Sequence, residues 1–131
     1  MNEYYIKFRN ENDIYLILHN VRLLMQQLRF TEMEQQKVVV AVSELTRNVL
    51  DHAQSAGSFS CELIGEKGIQ FIIQDQGKGI DHLDDILNGK GSPNRRGLGL
   101  GLTGAKRMMD EFTIETSKEG TKVVCIKWKS K

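Results

Sequence analysis

The sequence predicts an α/β (α+β) two-layer sandwich, in which a mixed, mostly antiparallel sheet is covered on one face by helices. Three observations lead there. Apolar residues recur every three to four positions over residues 14–30 and again over 31–53, the period of helices with one buried stripe. Over residues 58–74 the pattern changes to short strand-like runs, with Gly65 and Gly68 where a hairpin must turn. Residues 113–116 and 121–128 form a second pair of short runs around Glu119-Gly120. Strands joined by tight turns pair antiparallel, and amphipathic helices must bury their apolar stripe against the sheet.

Residues 4–8, Tyr4-Tyr5-Ile6-Lys7-Phe8, read as a short strand closed by the polar group 9–13. A helix follows, with Ile14, Ile17, Leu18, Val21, Leu24, Met25 and Leu28 on one face, ending near Phe30. Thr31 with Glu34 three residues later is the pattern in which a hydroxyl and a carboxylate reciprocally satisfy the free N–H groups of a helix start. That second helix runs to about Ala53, turns Val38, Ala41, Val42, Leu45, Val49 and Ala53 inward, and is stopped by Ser55-Ala56-Gly57.

Strands are predicted over 58–64 and 69–74. Continuing the parity of the second places Asp75 on the face of Ile69, Phe71 and Ile73, the face that meets the helices. A carboxylate there needs a donor, since leaving it unpaired is strongly unfavourable. From Gly77 to Gly101 the chain holds seven glycines and its only proline, the least structured composition in the sequence. A last helix is expected to restart at about 98–102 and to run through Ala105, Met108 and Met109 to Phe112. With no internal repeat and no dividing linker, residues 1–131 are expected to form one domain.

Composition excludes several classes. At 40% hydrophobic and 27% charged residues the chain matches a globular domain and is too apolar for global disorder. Eighteen Lys and Arg against seventeen Asp and Glu give a formal charge of +1, so no whole-molecule field draws it to nucleic acid or membranes. Cys61 and Cys125 lie in separate apolar runs and read as buried thiols. His19, His52 and His82 share no metal-ligand spacing. No apolar run approaches the ~18 residues of a membrane span and the N-terminus lacks a signal-peptide core, so a cytoplasmic location is expected. Lys127, Lys129 and Lys131 are expected to be solvated.

Three local features carry chemistry. Glu44 and Asn48 lie four residues apart, on one helix face at the margin of the apolar stripe. An amide oxygen there can take a hard metal ion while a carboxylate accepts a proton, although a solvated helix face is the ordinary reading. Asp75-Gln76-Gly77-Lys78-Gly79 follows a strand directly. Its glycines remove the Cβ atoms that would hold a flat ligand off the backbone, and Asp75 can accept from an exocyclic amine; a plain turn is the alternative. Gly97-Leu98-Gly99-Leu100-Gly101 leads into a helix, where successive N–H groups and a positive dipole end suit a phosphate chain. It is neither a Walker A loop nor the Rossmann fingerprint, and a structural glycine turn is the alternative there.

In this order, Glu44 with Asn48, Asp75-x-Gly77-x-Gly79 and Gly97-x-Gly99-x-Gly101 resemble the N, G1 and G2 boxes of the GHKL (histidine-kinase-like) ATPase superfamily, over about residues 31–128. Within it the chain is similar to the anti-sigma factor/serine-protein kinase family, and particularly to RsbT-type switch kinases. The residues that carry this likeness are Ser43-Glu44-Leu45-Thr46-Arg47-Asn48, Asp75-Gln76-Gly77, Gly101-Leu102-Thr103-Gly104 through Phe112, and Glu119-Gly120-Thr121 with Ile126-Lys127-Trp128. The resemblance implies a Bergerat ATP-binding fold. It implies that Asn48 holds Mg²⁺ on the phosphates of ATP and that Glu44 is the catalytic carboxylate. It further implies that Asp75 binds the adenine amine, that Gly77 and Gly79 admit the base and that Gly97, Gly99 and Gly101 wrap the phosphates. Thr121 would add a hydrogen bond near adenine and residues 81–96 would form the lid. Lys78 departs from the small or proline residues common at that point, and the approach to Gly97, Ser92-Pro93-Asn94-Arg95-Arg96, leaves lid contacts of Lys90, Arg95 and Arg96 open.

The implied function is an ATP-dependent serine/threonine-protein kinase of a bacterial partner-switching pathway in the stress response. Its substrate would be a STAS-domain protein, and a PP2C-type phosphatase or a sigma factor would lie downstream. The alternative is a binding module, an anti-sigma factor or phosphatase activator that uses ATP mainly for conformation. A detached histidine-kinase catalytic domain is a third reading, disfavoured because His19 lacks the acidic neighbour of a phosphoacceptor. Arg47, beside Glu44, would contact a phosphoryl group or a protein substrate, or serve as a surface ion pair.

Overall fold

Strand β1 (Glu3–Phe8) ends at a fully buried Phe8, and the polar residues after it start a helix. Asn10 caps α1 (Glu11–Gln27): its side-chain oxygen accepts from the Asp13 amide at 3.0 Å, while Asp13 Oδ2 accepts from the Arg9 amide at 2.8 Å. The Asp13 amide of the first turn and the Arg9 amide just before the cap are thereby satisfied, so the helix begins inside the group 9–13 rather than after it. Ile14, Ile17, Val21 and Met25 are fully buried. The helix ends in a Schellman closure, with the Phe30 amide on the Met25 carbonyl and the Arg29 amide on the Gln26 carbonyl, both at 3.0 Å. Arg29 adopts φ 64°, a conformation glycine normally supplies, and Met25 and Phe30 are both buried beneath the turn.

The structure, a computed structural model, describes residues 3–53, 56–77, 79–80 and 101–130. Gly97, Gly99, Lys78, His82, Lys90, Arg95, Arg96, Lys131 and the 81–96 lid expectation lie outside the described residues.

Helix α2 (Glu32–Asn48) carries both halves of the capping box at Thr31 and Glu34. Val38, Ala41, Val42 and Leu45 enter the core, and the buried Thr46 hydroxyl donates to the Val42 carbonyl at 2.7 Å. From Val49 to Ala53 the backbone widens into a π-helical turn, a form frequent at functional sites. Val49 is buried there, and a Cβ on Gly57 would lie 2.8 Å from it and 2.5 Å from the Phe8 ring.

Among the described residues five strands form one sheet: β1, β2 (Gly57–Ile64), β3 (Gly68–Asp75), β4 (Glu111–Ser117) and β5 (Gly120–Trp128), in the order β1-β2-β3-β5-β4. All four pairings are antiparallel. One face, with Phe59, Cys61, Ile69, Phe71, Ile73, Val123 and Cys125, is buried with the stripes of α1, α2 and α3 (Gly101–Met108). Each large apolar side chain so covered contributes about 1.5–3 kcal/mol. The opposite face leaves Tyr5 and Trp128 exposed. Cys61 and Cys125 are free and buried on either side of Phe71, and burial pushes both thiols up to about 12. Among the described residues no helix is long and apolar enough to cross a membrane.

Helix α3 ends at Met108 and Phe112 belongs to β4, which shortens the expected helix. Phe112 continues the helical period of Ala105, Met108 and Met109 and also fits the strand alternation with Ile114, and pairing decides: Phe112 stands opposite Cys125. Lys127 is buried rather than solvated. Its ammonium donates to the Met108 carbonyl at 2.9 Å and lies 3.5 Å from Asp110, a cation placed at the negative end of a helix. Lys129 likewise donates to the Leu28 carbonyl at 3.1 Å, and the Ser130 amide reaches Glu34 Oε2 at 2.8 Å.

Candidate functional site

Of the candidate residues, Asp75 and Thr121 stand side by side at one end of the sheet, with the Gly77 turn directly after them. Register brings Gly57, Asp75, Thr121 and Thr116 into a row across β2, β3, β5 and β4, on the face that meets the helices. Asp75 ends β3 half-buried, as the strand parity requires. Its needed donor is the Gly77 amide, which binds Oδ1 at 2.8 Å; among the described residues none bonds Oδ2. A carboxylate oxygen with acceptor capacity thus remains at the sheet end.

The alternate glycines have a cause of their own. A Cβ on Gly77 would lie 2.8 Å from Ala53 Cα and 2.9 Å from its carbonyl, so the turn after β3 rests on the π-helical turn that ends α2. Gly79, at φ 86°, would place a Cβ 2.1 Å from the Ser117 carbonyl. Both positions exclude a side chain because the protein's own backbone fills the space, a demand that sequence reading assigned to an incoming base.

Glu44 and Asn48 are half-buried on α2, and neither side chain bonds another described residue. Asn48 ends α2, and the π-helical turn that follows it brings Ala53 against Gly77 of the Asp75 turn. Arg47, between them, is already engaged. Its Nη1 is paired with Glu11 of α1, Nε donates to Ser43 Oγ at 3.1 Å, and the Glu11 hydrogen bond, with a further bond to Tyr15, raises the guanidinium above its ordinary value. The surface ion-pair reading of Arg47 is the one this geometry favours.

Gly101 opens α3 at φ 52°, buried, and Leu102 and Ala105 anchor that helix in the core against α2. Among the described residues no three His, Cys, Asp or Glu side chains converge on a metal site. Half-buried Asn48 offers an amide oxygen, the type of donor that Mg²⁺ carried on a polyphosphate would take beside phosphate and water oxygens.

Sequence reading missed Thr116. Its hydroxyl accepts from the Ile80 amide at 2.8 Å and lies 2.9 Å from Thr121 Oγ1, so it joins the chain after Gly79 to the sheet row. The available signal was parity, since Thr116 shares a face with Phe112 and Ile114 and is the polar residue on an otherwise apolar face.

A family model of the histidine kinase-like ATPase domain matches residues 9–127. The chain belongs to that family. Among relatives of this ATPase family, it is 35% identical over 127 residues to serine/threonine-protein kinase RsbT of Bacillus subtilis, covering 94% of each chain. In fold it resembles the RsbU and RsbW domains of Rv1364c from Mycobacterium tuberculosis, with TM-score 0.72 and 14% identity, over 100% of this chain and 34% of that one. It also resembles the catalytic domain of histidine kinase ThkA, with TM-score 0.56 and 15% identity, over 96% and 97% of the two chains. The fold is therefore that of the ATPase domains in this family, with three helices and a five-stranded antiparallel sheet among the described residues.

Proposed function

We propose that this chain is an ATP-dependent serine/threonine-protein kinase of a bacterial partner-switching pathway, acting on a STAS-domain protein and regulating a downstream phosphatase or sigma factor. The observation that carries the reading is the 35% identity to RsbT, which extends over 94% of the chain and so spans α2, the Asp75 turn and β5 together. Support from geometry is the convergence of Asp75 and Thr121 at the sheet end with the turn of Gly77 packed on the end of α2.

Each residue then has a defined task. Asp75 accepts from the adenine amine, and guanine, which presents a carbonyl at that place, is refused. Thr121 contributes a second polar contact beside it. Gly77 and Gly79 let the turn beside the base close on Ala53 and Ser117, and Gly97, Gly99 and Gly101 supply backbone N–H groups to the phosphates. Asn48 would hold Mg²⁺, which when bound would supply positive charge against that of the polyphosphate. Glu44 orients the substrate hydroxyl and takes its proton as the hydroxyl oxygen bonds to the γ-phosphorus and the bond to the ADP oxygen breaks. The transfer needs little covalent work from the protein, and positioning with charge neutralisation supplies most of the acceleration.

The test is incubation of the purified protein with Mg²⁺, ATP and STAS-domain proteins encoded beside it, with the phosphorylated residue located by mass spectrometry. Phosphate on one serine or threonine of a STAS partner is the expected result. ATP binding without transfer to any of them would leave the binding-module reading in its place.

A further inference from the structure

Thr116 stands at the junction of three elements. It lies opposite Thr121 in the β4–β5 register, accepts from the Ile80 amide at 2.8 Å and shares a hydrogen bond of 2.9 Å with the Thr121 hydroxyl. Its Oγ1 is also 3.1 Å from the Cβ position that glycine leaves empty at residue 79. A threonine hydroxyl has one proton and two lone pairs. The Ile80 N–H occupies one lone pair, and a hydroxyl that accepts from an amide becomes the better donor, which favours a chain running Ile80 N–H to Thr116 to Thr121. Thr121, buried and opposite Asp75, then keeps its own proton for a ligand.

We propose that Thr116 is a positioning residue for nucleotide specificity: by donating to Thr121 it fixes the rotation of that hydroxyl, so that the Thr121 proton is aimed at a ligand beside the Asp75 carboxylate and the sheet end presents an acceptor and a donor side by side. Adenine offers the complement, an exocyclic amine next to an unprotonated ring nitrogen. Guanine offers a carbonyl next to a protonated nitrogen and meets like against like at both points, the type of mismatch that discriminates most strongly. The same hydroxyl holds the chain at Ile80, so base recognition and the course of the backbone after Gly79 are fixed by one group. The inference rests on the proposed role of Asp75 and Thr121 in adenine binding.

The experiment compares ADP and GDP affinities by calorimetry for the parent protein, Thr116→Val, Thr116→Ser and Asp75→Asn, with thermal unfolding recorded without nucleotide. Thr116→Val keeps the shape and removes the hydroxyl; ADP affinity should fall about five- to tenfold, the scale of one hydrogen bond, and the preference for ADP over GDP should narrow. Thr116→Ser should restore both. Parent affinities in Thr116→Val overturn the inference, as does an equal loss in Thr116→Ser, which would mark a packing role. If Thr116→Val does not fold, Thr116→Ala carries the same comparison at this half-buried position. An unchanged ADP affinity in Asp75→Asn would instead remove the adenine assignment beneath it.

Discussion

A Cβ on Gly120 would lie 2.2 Å from the carbonyl oxygen of Asp75, and the φ of Gly120 is 145°. The turn into β5 therefore closes directly against the end of β3, and the residue that bears the candidate adenine-binding carboxylate is held in place by a glycine 45 positions further on. Gly65, with φ 57° but nothing within 4 Å of its Cβ position, is the useful contrast.

Gly120→Ala must displace the Asp75 backbone and should lower stability by about 2–3 kcal/mol, since it combines a disfavoured φ with a backbone clash. Gly65→Ala should lose only about 1 kcal/mol, from φ alone. Urea denaturation midpoints at constant slope provide the comparison, and equal losses would refute the contact argument.

Arg29 closes α1 in a conformation that suits glycine. Arg29→Gly should raise stability by about 0.5–1 kcal/mol, because the Schellman hydrogen bonds are kept while the Cβ conflict is removed. Thermal unfolding would detect this as a rise of a few degrees.

The Glu34 carboxylate carries a pH dependence. Burial by itself would push its pKa up, but hydrogen bonds from Thr31 and Ser130 together outweigh burial and hold it below the ordinary 4.5 of a glutamate. A carboxylate with a lowered folded-state pKa stabilises the fold fully above its unfolded value, and the contribution is lost as pH falls through the folded value. Glu34→Gln should therefore destabilise by about 1 kcal/mol near pH 7, from the weakened cap and C-terminal contact. Below 4.5 the difference between the two proteins should shrink. Denaturation series stepped from pH 7 to below 4.5 would show it, and a constant difference would argue against a shifted group.

For the proposed chemistry, Glu44→Ala should reduce phosphoryl transfer by about 10²- to 10⁴-fold with nucleotide affinity little changed, the signature of a proton acceptor. Asp75→Asn should do the reverse and weaken ATP binding by about tenfold or more. Measuring transfer and affinity on both variants separates the two roles, and a Glu44→Ala protein active at the parent rate would remove Glu44 from catalysis.

Local signals in the chain were legible wherever cause and effect lie within a few residues. Thr31 and Glu34 cap their helix because both partners sit in one turn. Asp75 follows the face of Ile69, Phe71 and Ile73 because strand parity is a property of the backbone alone. Legibility failed where two periods coincide, as at Phe112, and where a charged residue has a distant partner. Lys127 looks solvated in sequence, yet it is buried because the Met108 carbonyl, 19 residues away, receives its ammonium. Thr116 was overlooked for the same reason, since its partners Ile80 and Thr121 meet it only when β4 pairs with β5.

By itself the sequence determined the strand and helix periods, the capped start of α2, the inward face of Asp75 and the ordered glycine boxes that resemble a GHKL ATPase. Tertiary structure alone decided that β5 lies between β3 and β4, that Asp75 stands opposite Thr121, and that Gly77 and Gly79 lie against Ala53 and Ser117. The division has a physical basis. Periodicity and capping are short-range properties of backbone geometry, whereas register and close backbone approach depend on which apolar faces are buried together, and that is settled only when the whole core forms.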